Sequence, residues 1–355
     1  MKKRVKSLQT ILQKGEAALI GGGSNRFYLT GFNSSAGAVL LTDSKAVFLI
    51  DFRYFEKAKQ VVKSAEVVLC TNLKKQLLEI LKTEKTTTLF IETDEVSVDV
   101  FSAYKLAFEG IEVSLDGKIS NALAKQRAVK AKDEVENIKA AQSITDKAFS
   151  YILERISVGK TEKEIALDLE FFARQNGSEG VAFDFIVVSG KNSSLPHGVP
   201  SDKPVEKGDF ITMDFGAKVN GYCSDMTRTV AVGDISDEQR RVYETVLEAQ
   251  NLAFQKISAG AVCKEVDAAA RVFIKESGFE GCFGHGLGHS LGVDIHENPA
   301  FNTRDETVLE SGMILTVEPG IYLENKFGVR IEDMVLITDK GYENLTHSPK
   351  GLIIL

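Results

Sequence analysis

Four acidic residues, Asp214, Asp225, Glu318 and Glu332, stand in segments whose patterns bring them together. Phe210 to Val230 alternates like a β-hairpin and turns at Asn220-Gly221, a dipeptide suited to a type I′ turn. A two-residue loop sets Asp225 opposite Gly216 and diagonal to Asp214, on one face of the ribbon. Ile314–Leu323 and Phe327–Ile337 repeat the arrangement around Asn325, which sets Glu318 opposite Glu332, puts Arg330 on the Glu332 face and turns Ile331 and Asp333 away. Four carboxylates on one apolar surface repel one another, so cations must offset them. Two divalent ions match their charge. The oxygen-rich set favours Mn, Co or Fe, with Zn possible, and a neutral His289 would complete it. Either acidic pair alone reads as a solvated hairpin; the joint pattern carries the metal reading.

The chain has five histidines, four of them between 197 and 296. His285, His289 and His296 fall in and just after the run Gly284-His285-Gly286-Leu287-Gly288-His289, where glycines let the backbone pack closely while imidazoles project. His197 sits on a turn between Pro196 and Gly198. His347 lies in a polar C-terminal loop and is assigned no role.

The elements that must position these groups show an internal repeat. Ile156-Ser157-Val158-Gly159 returns as Ile257-Ser258-Ala259-Gly260, and Gly208, Thr212, Asp214 and Gly216 return as Gly312, Thr316, Glu318 and Gly320. A duplicated helix-then-strand unit packs around a pseudo-twofold axis and presents an acid from each half. Capping boxes at Thr161/Glu164 and Ser236/Gln239 start helices there. The first 122 residues instead alternate short apolar strands (Ala17–Ile20, Ala38–Leu41, Ala46–Ile50, Leu89–Glu92, Ile111–Ser114) with helices at Phe52–Val62 and at Leu73–Leu81, the latter capped by Asn72. A charged, Ala-rich stretch from Lys125 to about Ile156 opens the second region, so the expected domains are 1–124 and 125–355.

At 355 residues and 43% hydrophobic the chain can bury a core in each domain. The interspersed charge, net −7, argues against nucleic acid or an anionic membrane as partner. No apolar run reaches the length of a membrane span, and Met1–Lys14 lacks the apolar core of a secretory signal. Four widely spaced cysteines fit a reducing compartment, so a cytoplasmic location is expected.

Pro196-His197-Gly198, Met213-Asp214-Phe215-Gly216, Cys223-Ser224-Asp225, Gly284 to His289, Asp294-Ile295-His296-Glu297, Val317-Glu318-Pro319-Gly320 and Val329-Arg330-Ile331-Glu332-Asp333, taken in order, resemble the pita-bread metallopeptidases in their proline-specific branch, the Xaa-Pro aminopeptidases and prolidases. Asp51-Phe52-Arg53-Tyr54 resembles that branch's creatinase-like N-terminal domain. The resemblance implies an α+β fold: a pita-bread catalytic domain with pseudo-twofold duplication, preceded by a smaller creatinase-like α/β domain. It implies a dinuclear centre on Asp214, Asp225, His289, Glu318 and Glu332, with Asp225 and Glu332 touching both ions, Mn favoured and Co, Zn or Fe as alternatives. A metal-bridging hydroxide would attack the scissile carbonyl, and Glu318 would act as general base or proton shuttle. His197 and His296 would contact substrate and the tetrahedral intermediate, His285 would line the proline side, and Arg330 would hold the carboxylates. Proline-containing peptides are the implied substrates and a homodimer the implied assembly. Asp51–Tyr54 also looks like the matching segment of short bacterial aminopeptidase P-type chains, so the Xaa-Pro aminopeptidase is expected ahead of the Xaa-Pro dipeptidase.

Rival readings fare worse. Gly288-His289-Ser290-Leu291-Gly292 matches a nucleophile elbow, but glycines precede it where a strand is needed and Val293–Pro299 cannot start a helix. A zincin needs a second histidine at Ala300. A methionine aminopeptidase would lack the N-terminal domain, and a non-catalytic binding module would not need the full ligand set. Gly21-Gly22-Gly23 is no dinucleotide fingerprint, because Arg26 stands where the last glycine belongs; it reads as a loop.

Overall fold

A computed structural model describes all residues from Met1 to Leu355, and the chain divides into two units, Met1–Arg127 and Ala128–Leu355. The first runs α1 (Lys2–Gln9), β1 (Glu16–Ile20), α2 (Gly23–Thr30), β2 (Ala38–Thr42), β3 (Ala46–Ile50), α3 (Phe52–Val61), β4 (Glu66–Leu69), α4 (Leu73–Thr83), β5 (Thr88–Ile91), α5 (Val98–Ala107), β6 (Glu112–Ser114) and α6 (Lys118–Ala128). Its sheet has the order β4-β3-β2-β1-β5-β6. The short polar turn at Asp43–Lys45 allows an antiparallel β2–β3 pair, whereas the parallel β3–β4 and β5–β6 pairs need the crossovers α3 and α5. β2 is buried along its whole length, as its unbroken apolar run requires of a central strand.

The Gly21–Gly23 loop has a structural occupant. β1 and β5 are parallel neighbours, so Glu92, just past β5, reaches the backbone just past β1. Its carboxylate accepts from Gly21 N, Gly22 N and Asn25 Nδ2 at 2.5, 2.8 and 2.7 Å at the start of α2. The amides that could have held a phosphate hold the chain's own buried acid. Glu92→Ala is expected to leave three donors unpaired and to destabilise the N-terminal unit by about 3 kcal/mol. A urea midpoint unchanged from the parent would contradict this.

The charged, Ala-rich stretch from 125 to 156 holds the end of α6 and the whole of α7 (Lys132–Leu153), separated at 129–131. There Val129 bridges to Met313 and Lys130 N donates to Gly312 O, so an extended segment pairs with the sheet instead of continuing the helix. The division between units correspondingly falls after Arg127 and not after residue 124, which lies inside α6.

Then follow α8 (Glu162–Gln175), β7 (Ile186–Ser189), β8 (Phe210–Phe215), β9 (Lys218–Val219), β10 (Tyr222–Cys223), β11 (Met226–Ala231), α9 (Asp237–Phe254), α10 (Cys263–Ile274), β12 (Gly288–Ser290), β13 (Glu297–Phe301), β14 (Ile314–Val317), β15 (Gly320–Leu323), β16 (Phe327–Arg330), β17 (Asp333–Thr338) and β18 (Gly341–Asn344). Both capping boxes form, starting α8 and α9.

Two similar halves result. In one, Phe149, Ile152, Ile165 and Leu169 of α7 and α8 pack on Ile211, Met213 and Val230 of the β8–β11 ribbon. In the other, Val242, Val246, Val266 and Ala270 of α9 and α10 pack on Leu315, Val317 and Val335 of the β14–β17 ribbon. Each ribbon is one long hairpin interrupted once: β8–β11 continues as β9–β10, and β14–β17 continues as β15–β16. The expected register holds on both sides of each break, with Asn220 and Gly221 both at positive φ in the first turn. No helix in the chain is long and apolar enough to cross a membrane.

Candidate active site

Asp225, Glu318 and Glu332 stand in the breaks of the two ribbons, and Asp214 lies on β8 beside the first break. In the first, Ala217 N turns from the ladder to the hydroxyls of Ser224 and Thr145, at 2.9 and 3.2 Å. Gly216 permits this: a Cβ there would fall 1.9 Å from the Ser224 carbonyl oxygen. In the second, residues 318–319 and 331–332 lie between the paired segments, and Glu332 N donates across to Thr227 O in the other ribbon. β12 delivers His289 alongside β14, and Gly288 allows the approach, since a Cβ would lie 2.0 Å from Thr316 O.

Around this point the polar groups form one network. Arg330 donates from Nη2 to Asp214 Oδ2 at 2.6 Å, from Nε to Thr227 Oγ1 at 3.1 Å, and from Nη1 to Tyr322 OH at 2.8 Å and Pro196 O at 3.2 Å. Thr227 passes its own proton to Glu332 Oε2 at 2.6 Å, and Thr316 donates to Glu318 Oε1 at 3.1 Å. Three carboxylate oxygens remain buried without any partner: Asp214 Oδ1, Asp225 Oδ1 and Glu332 Oε1. Such groups are costly unless a cation meets them.

His289 adds a second indication. Its Nδ1 faces the Ser290 carbonyl at 3.1 Å and must carry the proton, so Nε2 presents a lone pair. That lone pair faces Asp225 Oδ2 at 3.6 Å and Glu318 Oε1 at 3.4 Å, acceptor against acceptors. Ligand atoms of Asp225, His289 and Glu332 lie within 4.8 Å of one another. This donor set fits a divalent cation and explains an arrangement that is repulsive without one.

The electrostatics agree. Burial, then the charges of Glu332, Asp214 and Glu318, raise the Asp225 carboxyl well above the carboxylate range. Burial, then Glu318 and Asp214, does the same to Glu332. Burial raises Glu318 to about 8 against the opposing pull of Arg330. His289 is lowered by burial, which favours the neutral imidazole that a metal ligand requires.

His197, His285 and His296 border the same cleft, a cavity of about 720 Å³. The His289 and His296 rings lie 4.5 Å apart between centroids. His285 is committed at both nitrogens: Nδ1 donates to Gly286 O at 2.8 Å and Nε2 takes the Tyr322 hydroxyl proton at 2.9 Å. Burial, then Arg330, pushes it down to about 4, so it is a neutral wall of the cleft. Thus Asp214, Asp225, His285, His289, His296, Glu318, Arg330, Glu332 and His197 converge. His347 borders a separate hollow beside Asp146 and Lys139. Asp333 turns away and pairs with Arg228 and Lys350.

Three residues of this network, Thr227, Tyr322 and Lys130, were not singled out from the sequence, and Thr316 was read only as a position of the internal repeat. Strand parity could have found Tyr322, which lies opposite Gly328 and so shares a face with Arg330. Lys130 had no local signal. Its almost wholly buried ammonium reaches Ser290 Oγ at 3.0 Å and Glu297 Oε2 at 3.2 Å, beneath the loop joining His289 to His296. Ser290 is therefore a buried strand residue held by a cation and not an exposed nucleophile.

Comparison with known proteins matches residues 136–339 to Metallopeptidase family M24 and residues 4–129 to the Creatinase/Prolidase N-terminal domain. The chain belongs to metallopeptidase family M24. It is 40% identical to an Xaa-Pro dipeptidase of Pyrococcus furiosus, over 99% of this chain and 100% of that one. Among solved structures it resembles an Xaa-Pro dipeptidase from Bacillus anthracis (TM-score 0.95, 40% identity, 99% of each chain). It also resembles an X-Pro aminopeptidase from Thermotoga maritima (TM-score 0.90, 38% identity, 98% of this chain and 99% of that one). The α+β pita-bread fold with a creatinase-like N-terminal domain is the one these relatives share, and this M24 chain is a metal-dependent exopeptidase, aminopeptidase or dipeptidase.

Carboxyls raised in the folded state bind protons that the unfolded chain has released. Their contribution to stability is complete below the unfolded value and lost as pH rises through the folded one. The metal-stripped enzyme is therefore expected to lose thermal stability from about pH 5 to about pH 8, and added Mn²⁺ to restore it most at the alkaline end. A melting temperature independent of pH and of Mn²⁺ would contradict the assignment.

Proposed function

We propose that this chain is an Xaa-Pro dipeptidase, hydrolysing the bond before proline in dipeptides with two divalent cations held by Asp214, Asp225, His289, Glu318 and Glu332. The observation that carries the metal assignment is the set of three buried, partnerless carboxylate oxygens beside the His289 lone pair. Four carboxylates and an imidazole also offer more donor atoms than the about six that one first-row divalent ion takes, which supports two ions with Mn preferred. When bound, the ions supply Lewis acidity toward the scissile carbonyl and toward water.

The chain's own groups do the rest. Glu318, steadied at Oε1 by Thr316, is placed to take and return a proton at Oε2. His197 and His296 open into the cleft and suit the carbonyl oxygen and the departing nitrogen, which in an Xaa-Pro bond is a tertiary amide that must be protonated to leave. His285, with no free nitrogen, offers an uncharged surface toward the proline ring. Arg330 keeps Asp214 in place and, through Tyr322, keeps His285 in its tautomer.

The dipeptidase takes precedence over the expected aminopeptidase for two reasons. Near-full-length relatives in Pyrococcus furiosus and Bacillus anthracis carry the dipeptidase name. And Asp51–Tyr54, the basis of the aminopeptidase preference, is a helix start: Asp51 accepts from Arg53 N at 2.9 Å and pairs with its guanidinium at 2.6 Å, a local cap that says nothing of substrate length. The four unpaired cysteines support a cytoplasmic setting. Exposed Phe52, Val98 and Leu106 on the N-terminal unit support a homodimer.

With the Mn²⁺-loaded enzyme, Ala-Pro is expected to be cleaved with a kcat/KM at least about tenfold above that for Ala-Pro-Ala, a chelator to abolish both activities, and Glu318→Gln to lower kcat by about 10² to 10⁴. Cleavage of the tripeptide alone would reinstate the aminopeptidase.

A further inference from the structure

Behind the second ribbon, one buried side chain touches the backbone of both of its acids. Gln250 lies on the face of α9 that also buries Val246, Ala249 and Ala253, and is itself fully buried. Its Nε2 donates to Val317 O at 2.9 Å and to Ile331 O at 3.3 Å, the carbonyls immediately before Glu318 and Glu332. Pro319 creates the need for this donor. Ile331 N donates across the break to Pro319 O at 3.4 Å, but proline has no N–H to return, so the Ile331 carbonyl lacks the partner that an antiparallel rung would give it. A buried carbonyl left in that state is costly, and Gln250 meets it.

The N–H groups of the same two peptides are taken by other elements. Glu318 N donates to Leu287 O at 2.7 Å and Glu332 N to Thr227 O at 3.1 Å. Each planar peptide unit from which an acid projects is thereby held at both its oxygen and its nitrogen.

The Gln250 amide is oriented in turn. Lys350 Nζ donates to Gln250 Oε1 at 2.8 Å and to Asp333 Oδ2 at 2.6 Å, while Arg228 holds Asp333 Oδ1 at 2.7 Å. With the ammonium on Oε1, Nε2 must face the two carbonyls; the reversed amide would set its NH₂ against the ammonium and its oxygen against two oxygens. Tyr243, earlier on α9, donates to Lys350 O at 3.1 Å and fixes the segment that carries the lysine.

We infer that Gln250 is a positioning residue for the metal centre, setting the spacing of the Glu318 and Glu332 carboxylates, and that Lys350 acts through it by directing its amide. The inference rests on the assignment of those two acids as metal ligands. Neither Gln250 nor Lys350 borders the cleft, so their effect reaches the metal through the backbone and leaves substrate contacts intact.

The test is Mn²⁺ binding to the metal-stripped full-length chain, read by calorimetry and by the electron paramagnetic resonance spectrum of the bound ion. Gln250→Met removes the donors at similar volume, whereas Gln250→Glu keeps a partner for Lys350 but turns an acceptor toward the two carbonyls. Both are expected to raise the apparent Kd for Mn²⁺ at least about tenfold and to alter the spectrum, with KM for Ala-Pro at saturating Mn²⁺ within about twofold of the parent. Lys350→Met, at a partly exposed position that can be changed without opening the core, is expected to raise Kd at least about threefold, and Lys350→Arg to recover the loss. In the Gln250→Met background Lys350→Met is expected to add nothing, because the lysine then has no amide to direct; independent structural losses would add. A Lys350→Met chain with the parent's Kd and spectrum, or losses that simply add, overturns the clamp while the metal reading stands. A parent chain that binds no Mn²⁺ overturns the metal reading, and the clamp with it.

Discussion

Like-charge crowding is the constraint on which the catalytic unit depends. Asp214, Asp225, Glu318 and Glu332 crowd the buried wall of one cleft, and the fold positions them there at the cost of raising at least three of them far out of their ordinary range. Arg330 is the chain's own partial answer. Buried and yet held charged by Asp214 and Glu318, it neutralises one acid and, through Thr227, orients another. What it leaves are three bare oxygens, and these are the part of the problem that only a cation supplied from outside can solve. Metal affinity here is the stored consequence of how the two ribbons are built.

The ribbons were legible in the sequence because strands have a period of two and short turns fix register. Asn220-Gly221 set the first hairpin, and Asn325 at positive φ marks the second turn. With register known, the convergence of Asp214 with Asp225 and of Glu318 with Glu332 followed. What escaped were contacts with no local period. Lys130 lies far in sequence from Ser290 and Glu297, and Thr227 meets Glu332 from the other ribbon. The break at 129–131 was invisible for the same reason: the residues have helical character, and only pairing with Gly312 and Met313 makes them extended. Asp51–Tyr54 marked the creatinase-like domain correctly, but as a guide to substrate length it is a local pattern whose cause is also local.

A set of positioning residues stands behind the proposed ligands. Lys130 ties β12 to Glu297, and a Cβ on Gly292 would fall 2.8 Å from the Glu297 carboxylate, so the loop between His289 and His296 is cinched from beneath. Tyr322 performs the analogous task on the other side by linking Arg330 to His285. The two imidazoles, the proposed ligand His289 and the cleft-wall His285, are thus each fixed in tautomer by a carbonyl accepting from Nδ1.

The duplication shows how four acids can be brought to one place without a strictly repeated set. Asp214 and Gly216 correspond to Glu318 and Gly320, and the registers extend the correspondence to their partners. Thr227, opposite Asp214, matches Glu332, opposite Glu318; Asp225, opposite Gly216, matches Arg330, opposite Gly320. Each half therefore contributes an equivalent first acid, but the second acid comes from different rungs: Asp225 at the glycine rung in one half, Glu332 at the acid rung in the other. Where the second half would repeat Asp225 it has Arg330, and where the first would repeat Glu332 it has Thr227. The two substituted positions then touch, Arg330 donating to Thr227 and Thr227 to Glu332. A strictly symmetric centre would place either a carboxylate with no cation beside it or a guanidinium in both halves, the first too repulsive to hold metal-free and the second too well neutralised to need metal. The observed asymmetry lies between these, and it is what leaves the acid set both foldable and vacant of compensation at three oxygens.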